Sequence, residues 1–121
     1  EIRLILSYHN VGYTPGHDLL VERFLEADRL GANVAKVATM PRDRADVLTL
    51  LAATATADAK ARIQLISMSM GPLSVTTRMV GGVFGSSLSF AVGEGASAPG
   101  QPPIADLAAV FGALSRARGD A

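Results

Sequence analysis

The sequence predicts an α/β fold in which four consecutive strand–helix units build one parallel sheet. Three observations lead to this fold class. Short runs rich in aliphatic and β-branched residues alternate with longer segments whose apolar residues recur at helical spacing. Glycine or proline stands at most junctions between these segments. Strands that alternate with helices in this way form parallel sheets with right-handed crossovers.

The first unit has clear signals for both of its elements. Residues 2 to 10 form a strand with one apolar face, and Ser7 and His9 point to the other face. A helix follows, with Thr14 expected as its N-cap, Pro15 at its first position and Gly31 as its stop. The residues expected to form its buried stripe are Leu20, Val21, Phe24 and Leu25.

The second unit contains a lysine that its strand pattern does not explain. Residues 31 to 40 are typical of a strand buried on both faces, yet Lys36 stands in the middle of them. The helix that follows is expected over residues 41 to 60. The predicted buried stripe of that helix consists of Val47, Leu48, Leu51, Ala52 and Ala55.

The third and fourth units complete the pattern. Residues 62 to 70 form the third strand, and residues 71 to 85 form a helix that Gly81 and Gly82 weaken. Residues 86 to 92 are predicted to form the fourth strand, and a loop rich in glycine, proline and serine is expected to lead to a closing helix from residue 104. Its inward residues are expected to be Ile104, Leu107, Val110, Phe111 and Leu114.

The length of the chain predicts half of a barrel. A complete (β/α)8 barrel needs about 250 residues, whereas this chain has four units in 121 residues and no internal linker. Residues 1 to 121 are therefore expected to form one half-barrel domain. Short polar residues share one face of strands one and four, as a barrel lumen requires; they are Ser7, His9, Ser87 and Ser89.

Composition excludes several classes of function. The chain has 11 basic and 11 acidic side chains, so its net charge of zero gives no reason to expect nucleic acid or a membrane surface as partner. It has no cysteine and no cluster of metal ligands, so no metal site is expected. The absence of cysteine also fits a cytoplasmic protein.

Lys36 has two interpretations. Active sites of barrels lie at the carboxyl ends of the strands, where His9 and Lys36 are both expected. Burial among aliphatic groups disfavours the charged form of a lysine, so a lysine in this setting can attack a ketone and form a Schiff base. Alternatively, the stem of Lys36 packs on the sheet while its ammonium group reaches water, without any role in catalysis.

Five segments, in this order and spacing, resemble one enzyme family. They are SYHN, AKVATMP, ISMSMG, TRMVGGVFGSSLSF and ASAPGQ. Together they resemble type I 3-dehydroquinate dehydratase, the Schiff-base enzyme of the shikimate pathway, over nearly the whole chain. The resemblance implies the C-terminal half of a TIM (β/α)8 barrel.

The resemblance implies a role for seven residues. Lys36 would form the imine with the ketone of 3-dehydroquinate, and His9 would act as general acid and base in its dehydration to 3-dehydroshikimate. Arg78 would pair with the substrate carboxylate. The remaining substrate contacts would come from Ser97 and Gln101 in a covering loop and from Met68 and Met70 in the pocket wall.

The resemblance also implies a partner for this chain. The family draws further substrate-binding residues, including the acidic partner of the histidine, from an N-terminal half. We therefore expect pairing with that half or with a second copy, and a homodimer. Two alternatives stay open: another class I Schiff-base lyase or aldolase, and a non-catalytic half barrel that serves as an assembly module.

Overall fold

The computed structural model describes residues 3 to 87 and 104 to 119, and it confirms the predicted α/β fold class. Its parallel sheet has the strand order β1–β2–β3. The strands are β1 (Ile5–Asn10), β2 (Val34–Thr39) and β3 (Gln64–Ser69). The helices are α1 (His17–Arg29), α2 (Arg44–Asp58), α3 (Val75–Val80) and α4 (Ile104–Arg118).

The predicted fourth strand is described only at its beginning. Ser86 forms a parallel bridge with Leu65 of β3, and the Ser87 amide donates to the Leu65 carbonyl at 2.6 Å. The chain therefore approaches β3 on the side away from β2, as a fourth parallel strand requires. The rest of that predicted strand, residues 88 to 92, lies outside the described part of the chain.

The register of the sheet decides which side chains share a face. Ser7, Lys36 and Ile66 lie side by side across the three strands. Two residues further toward the carboxyl ends, His9 lies beside Ala38, which lies beside Met68. Since alternate residues of a strand point to the same side, both rows lie on one face. We call it the inner face, because α1 and α2 pack on the opposite one.

The main hydrophobic core lies between the sheet and the helices α1 and α2. Leu20, Phe24 and Leu50 of these helices are completely buried, as is Leu65 of β3. A second, smaller cluster covers the inner face and consists of Val34, Ala38, Ile66, Met68 and the partly buried Met70. The sheet is thus apolar on both faces, as the sequence of β2 predicts.

The prediction for the start of α1 is wrong, and the prediction for its end is confirmed. The helix begins at His17, and its N-cap is Gly16 rather than Thr14. The Thr14 hydroxyl is instead buried and bonds to the chain beyond β2. Gly31 has a φ of 88° and donates its amide to Asp28, so it ends the helix in the left-handed conformation that favours glycine.

The predicted stripe of α2 is only partly right. Val47 and Leu51 are buried as expected, but Leu48 is 66% exposed, and Ala52 and Ala55 are exposed as well. The residues that face the core in their place are Leu50, Ala53, Thr54 and Ala57. Thr54 fits there because its hydroxyl donates to the Leu50 carbonyl at 2.7 Å. An alanine-rich helix is apolar all round, so its periodicity selects a face only weakly.

The third helix is shorter than predicted. The region consists of two 3₁₀ turns, Pro72–Ser74 and Gly81–Phe84, with α3 between them. The second turn begins at the two glycines that lower helix propensity there.

In α4, Leu107 is buried as predicted, and Val110 and Leu114 are half-buried. Phe111 is 43% exposed, which contradicts its predicted inward position. Phe111 lines a cavity together with Met79, Gly82 and Val83, so these neighbours do not cover it completely. The prediction for the Ile104 side chain lies outside what the structure describes.

Candidate active site

The inner face of the sheet brings Lys36 and His9 together. Lys36 lies at the centre of β2, and His9 lies on the neighbouring strand β1, two residues further along in register. A strand spacing of about 4.8 Å and a rise of about 3.3 Å per residue put the two Cα atoms roughly 8 Å apart. A lysine side chain can cover most of this distance, so one small molecule could contact both groups.

Lys36 has apolar neighbours on its own strand and on β3. Val34, Ala38 and Ile66 are all less than 9% exposed and surround the stem of the lysine on the inner face. On the other side lies Ser7 of β1, which is exposed. Lys36 is therefore half-buried rather than fully buried, because β1 leaves its side of the residue open.

A cavity of about 240 Å³ includes Lys36. It is lined by Lys36 and Ser7 together with residues of α1, among them Arg23 and Glu26. Arg23 and Glu26 form an ion pair at 3.7 Å, and the Arg23 guanidinium lies 5.1 Å from the centre of the Tyr8 ring. This cavity lies at the open edge of β1, where residues of both faces of the sheet line it, and its lining is more apolar than polar.

His9 lies near the carboxyl end of β1 and is exposed. The residue after it, Asn10, turns the chain: its side-chain oxygen accepts hydrogen bonds from the amides of Gly12 and Tyr13, each at 3.0 Å. The imidazole thus stands at the edge where parallel-sheet enzymes hold their substrates. An imidazole at such a place can accept and return a proton.

The two methionines predicted as pocket residues lie on the inner face. Met68 is 7% exposed and lies in register with Ala38, so that β2 separates it from His9 of β1. Met70 is half-buried and packs on the same cluster. Both thioethers thus contribute to the apolar part of this face, on the β3 side of Lys36.

Arg78 is a buried cation near the carboxyl end of β3. The Ser69 amide at the end of β3 donates to the Thr77 hydroxyl at 3.0 Å, and this bond attaches α3 to the strand. Arg78 is 5% exposed, and its Nε donates to the Ser74 hydroxyl at 3.4 Å. Burial lowers the pKa of the Arg78 guanidinium below its ordinary value. Its Nη1 has no hydrogen-bond partner among the residues that the structure describes, so this donor is suited to an anion.

Two predicted substrate contacts cannot be placed. Ser97 and Gln101 lie outside the described residues. Within residues 3 to 87 and 104 to 119, no three His, Cys, Asp or Glu side chains come together in a way that could hold a metal ion. In the same part of the chain, no helix has both the length and the hydropathy needed to cross a membrane.

The sequence analysis missed a pair of threonines at the carboxyl edge of the sheet. The Thr14 hydroxyl donates to the Met40 carbonyl at 2.9 Å and lies 3.3 Å from the hydroxyl of Thr39. Thr39 is completely buried, and Thr14 is 5% exposed. A threonine at the end of a strand otherwise made of valine, alanine and one lysine was the available signal, since a buried hydroxyl needs a partner.

Comparisons with known proteins identify the family of this chain. The family model for type I 3-dehydroquinase matches residues 1–118. The 3-dehydroquinate dehydratase of Albidiferax ferrireducens is 59% identical over 120 residues, which are 99% of this chain and 46% of that protein. The enzyme of Geobacillus thermodenitrificans is 49% identical over 115 residues, or 95% of this chain and 45% of that protein.

Solved structures give the same result. The 3-dehydroquinate dehydratase of Geobacillus kaustophilus superposes with a TM-score of 0.90 at 44% identity, over 95% of this chain and 45% of that one. The type I enzyme of Clostridium difficile superposes with a TM-score of 0.92 at 36% identity, over 97% of this chain and 46% of that one. The chain spans about half the length of the curated relatives it matches. By sequence and by structure, this chain belongs to the type I 3-dehydroquinase family.

Proposed function

We propose that this chain is the C-terminal half of a (β/α)8 barrel that dehydrates 3-dehydroquinate to 3-dehydroshikimate. In this proposal, Lys36 forms a Schiff base with the substrate and His9 is the general acid and base. The observation that carries it is the position of these two side chains on neighbouring strands and on one face of the sheet. Membership of the type I 3-dehydroquinase family supports the choice of substrate.

The first step is attack of the Lys36 amine on the substrate ketone. The carbonyl oxygen leaves as water, and a carbon–nitrogen double bond takes its place as an iminium ion. The buried neighbours Val34, Ala38 and Ile66 limit the water that can reach the lysine stem. They therefore give the lysine stem an apolar surface on one side, while the side toward β1 stays open to the substrate.

The second step uses the iminium as an electron sink. The carbon beside it becomes acidic, and His9 removes its proton to give an enamine. The enamine expels the neighbouring β-hydroxyl, which takes the proton back from His9 and leaves as water. Hydrolysis of the imine then releases 3-dehydroshikimate and restores both Lys36 and His9, so no metal or organic cofactor takes part.

Arg78 binds the substrate carboxylate in this scheme. A buried guanidinium with an unused donor is an unfavourable arrangement that a carboxylate would complete. The side chains of Met68 and Met70 form the apolar wall beside the ring of the substrate. Ser97 and Gln101 remain proposed as contacts from a covering loop.

The open edge of β1 supports a partner for this chain. β1 is the outer strand of the described sheet, and Ile5 on its inner face is 54% exposed. An edge strand with exposed apolar residues offers unpaired backbone groups to a further strand. We propose that an N-terminal half barrel, or a second copy of the chain, pairs at this edge. We also propose that the chain forms a homodimer and acts in the cytoplasm.

Borohydride trapping tests the proposed chemistry. The chain is mixed with 3-dehydroquinate and sodium borohydride, with and without the N-terminal half of the Albidiferax ferrireducens enzyme, and its peptides are mapped by mass spectrometry. We expect a substrate adduct on Lys36 and none on Lys60, an exposed lysine just beyond α2 that serves as the internal control. Equal labelling of the two lysines would contradict a specific role for Lys36.

The same samples separate the alternatives when product absorbance is followed. Activity that depends on the N-terminal half supports the half-barrel proposal, and activity of the chain alone supports pairing of two copies. Trapping with a phosphorylated ketose in place of 3-dehydroquinate would favour a class I aldolase. Absence of both adduct and activity in every mixture would favour a non-catalytic assembly module.

A further inference from the structure

The loop between β1 and α1 is attached to the sheet at both of its ends. At its start, the Asn10 side chain accepts the amides of Gly12 and Tyr13. At its end, the Thr14 hydroxyl crosses to β2 and donates to the Met40 carbonyl at 2.9 Å. The loop follows directly on His9, so its attachment acts on the strand end that carries the histidine.

The second attachment lies where the pairing of β1 and β2 ends. Asn10 pairs with Thr39, and the Met40 amide donates to the Asn10 carbonyl at 3.0 Å. Thr14 bonds to this same Met40 through its carbonyl and lies within hydrogen-bond distance of the Thr39 hydroxyl. One side chain therefore joins the exit of β1 to the exit of β2 at the last rung of their pairing.

The Thr14 end of the Thr14–Met40 hydrogen bond is buried, so water cannot easily replace it. Thr14 is 5% exposed and Thr39 is completely buried, so a lost partner could not be replaced easily by bulk water. Helix capping does not explain Thr14, since α1 begins three residues later with Gly16 as its N-cap. The hydroxyl is thus used to hold two strands together rather than to start a helix.

We propose that Thr14 is a positioning residue that fixes His9 relative to Lys36, and this inference rests on the proposed function. The Thr14–Met40 hydrogen bond adds to the pairing of Asn10 with Thr39 in holding the carboxyl end of β1 to β2. Lys36 lies three residues before Thr39 on the strand that Thr14 binds. A displacement of about 1 Å between reacting groups can lower a rate about 100-fold. The Thr14–Met40 hydrogen bond therefore controls proton transfer by His9 without contacting the substrate.

The test compares three variants. Thr14→Val keeps the shape of the side chain and removes the hydroxyl, and Thr14→Ser restores the hydroxyl. Thr54→Val is the matched control, because Thr54 is also buried and also donates to a main-chain carbonyl, at 2.7 Å, but it lies in α2 away from the strand exits. All three are studied in the form that gives activity in the preceding experiment, and also as the chain by itself.

Two measurements report on the Thr14–Met40 hydrogen bond. Thr14→Val is expected to raise the hydrogen-exchange rate of the Met40 amide about tenfold or more, and to lower kcat about 10- to 100-fold with KM changed less than about threefold. Thr14→Ser should recover most of both effects. Thr54→Val should change neither the Met40 exchange rate nor kcat by more than about twofold.

The outcomes separate this inference from the proposed function. If the unsubstituted protein gives no Lys36 adduct, the proposed chemistry fails, whatever Thr14 does. If the adduct forms but Thr14→Val matches Thr54→Val in Met40 exchange and in kcat, the positioning role of Thr14 is overturned. A loss of kcat that Thr14→Ser does not recover would also overturn it, since the hydroxyl would then not be the cause.

Discussion

Gly85 gives the sharpest test of the described packing. It ends the second 3₁₀ turn with a φ of 110°, a conformation that residues with a Cβ atom rarely adopt. The turn directs the chain toward β3, where the next residue, Ser86, forms a parallel bridge with Leu65. A Cβ atom at Gly85 would also lie 2.6 Å from both Cβ and Cγ of Asp58, at the end of α2. Gly85→Ala should therefore destabilise the fold for two separate reasons.

The two contributions can be given approximate sizes. The left-handed backbone costs a residue with a Cβ atom about 1–2 kcal/mol. The overlap with Asp58 adds about 1–3 kcal/mol, since the Cβ atom of Asp58 is bonded to the backbone of α2 and cannot rotate away. The expected loss in the free energy of unfolding is therefore about 2–5 kcal/mol.

Gly82→Ala is the matched control in the same turn. No atom lies within 4 Å of a Cβ at Gly82, and its φ is not positive, so this variant should be neutral or up to about 1 kcal/mol more stable. Combining Gly85→Ala with Asp58→Gly removes the overlapping atoms and should recover the steric part alone. Urea denaturation followed by far-ultraviolet circular dichroism measures all of these. Equal stability of the two alanine variants, within about 0.5 kcal/mol, would refute the reasoning.

Three further predictions concern the core, a helix cap and the buried cation. Leu50→Ala should cost about 2–5 kcal/mol in urea denaturation and Leu48→Ala less than about 0.5 kcal/mol, because only Leu50 is buried. Asp43→Ala should cost about 1 kcal/mol, because Asp43 accepts the Asp46 amide at 3.0 Å, and Asp43→Asn should keep most of that stability. Burial lowers the pKa of Arg78, so at neutral pH the buried charge carries a desolvation cost. Arg78→Met removes this charge and should keep or raise the thermal midpoint of unfolding. The KM for 3-dehydroquinate should rise at least about tenfold, because the proposed partner of the substrate carboxylate is lost. A lower midpoint with unchanged KM would contradict this.

The sequence predicted the strands better than the helix faces. In a strand, the side of each residue follows from its position alone, so Ser7 and His9 could be assigned to one face before their neighbours were known. In α2, small apolar residues surround the whole helix, and the choice between Leu48 and Leu50 depends on how the helix rests on the sheet. Local pattern could not supply that information.

For the candidate site, too, some features follow from the sequence alone and others only from the tertiary structure. The sequence determined by itself the order of the elements, the glycine that ends α1, and the placement of His9 toward the carboxyl end of β1, since each of these follows from local spacing and backbone preference. Lys36, which was expected toward the end of its strand, lies at the centre of β2 instead. Only the tertiary structure decided that β1 and β2 are neighbours in a register that puts both groups on one face. It also decided that Arg78 is buried and that the Thr14 hydroxyl binds Met40 rather than its own helix. These outcomes depend on contacts between residues far apart in the chain, and such contacts form only when the sheet and its helices pack together.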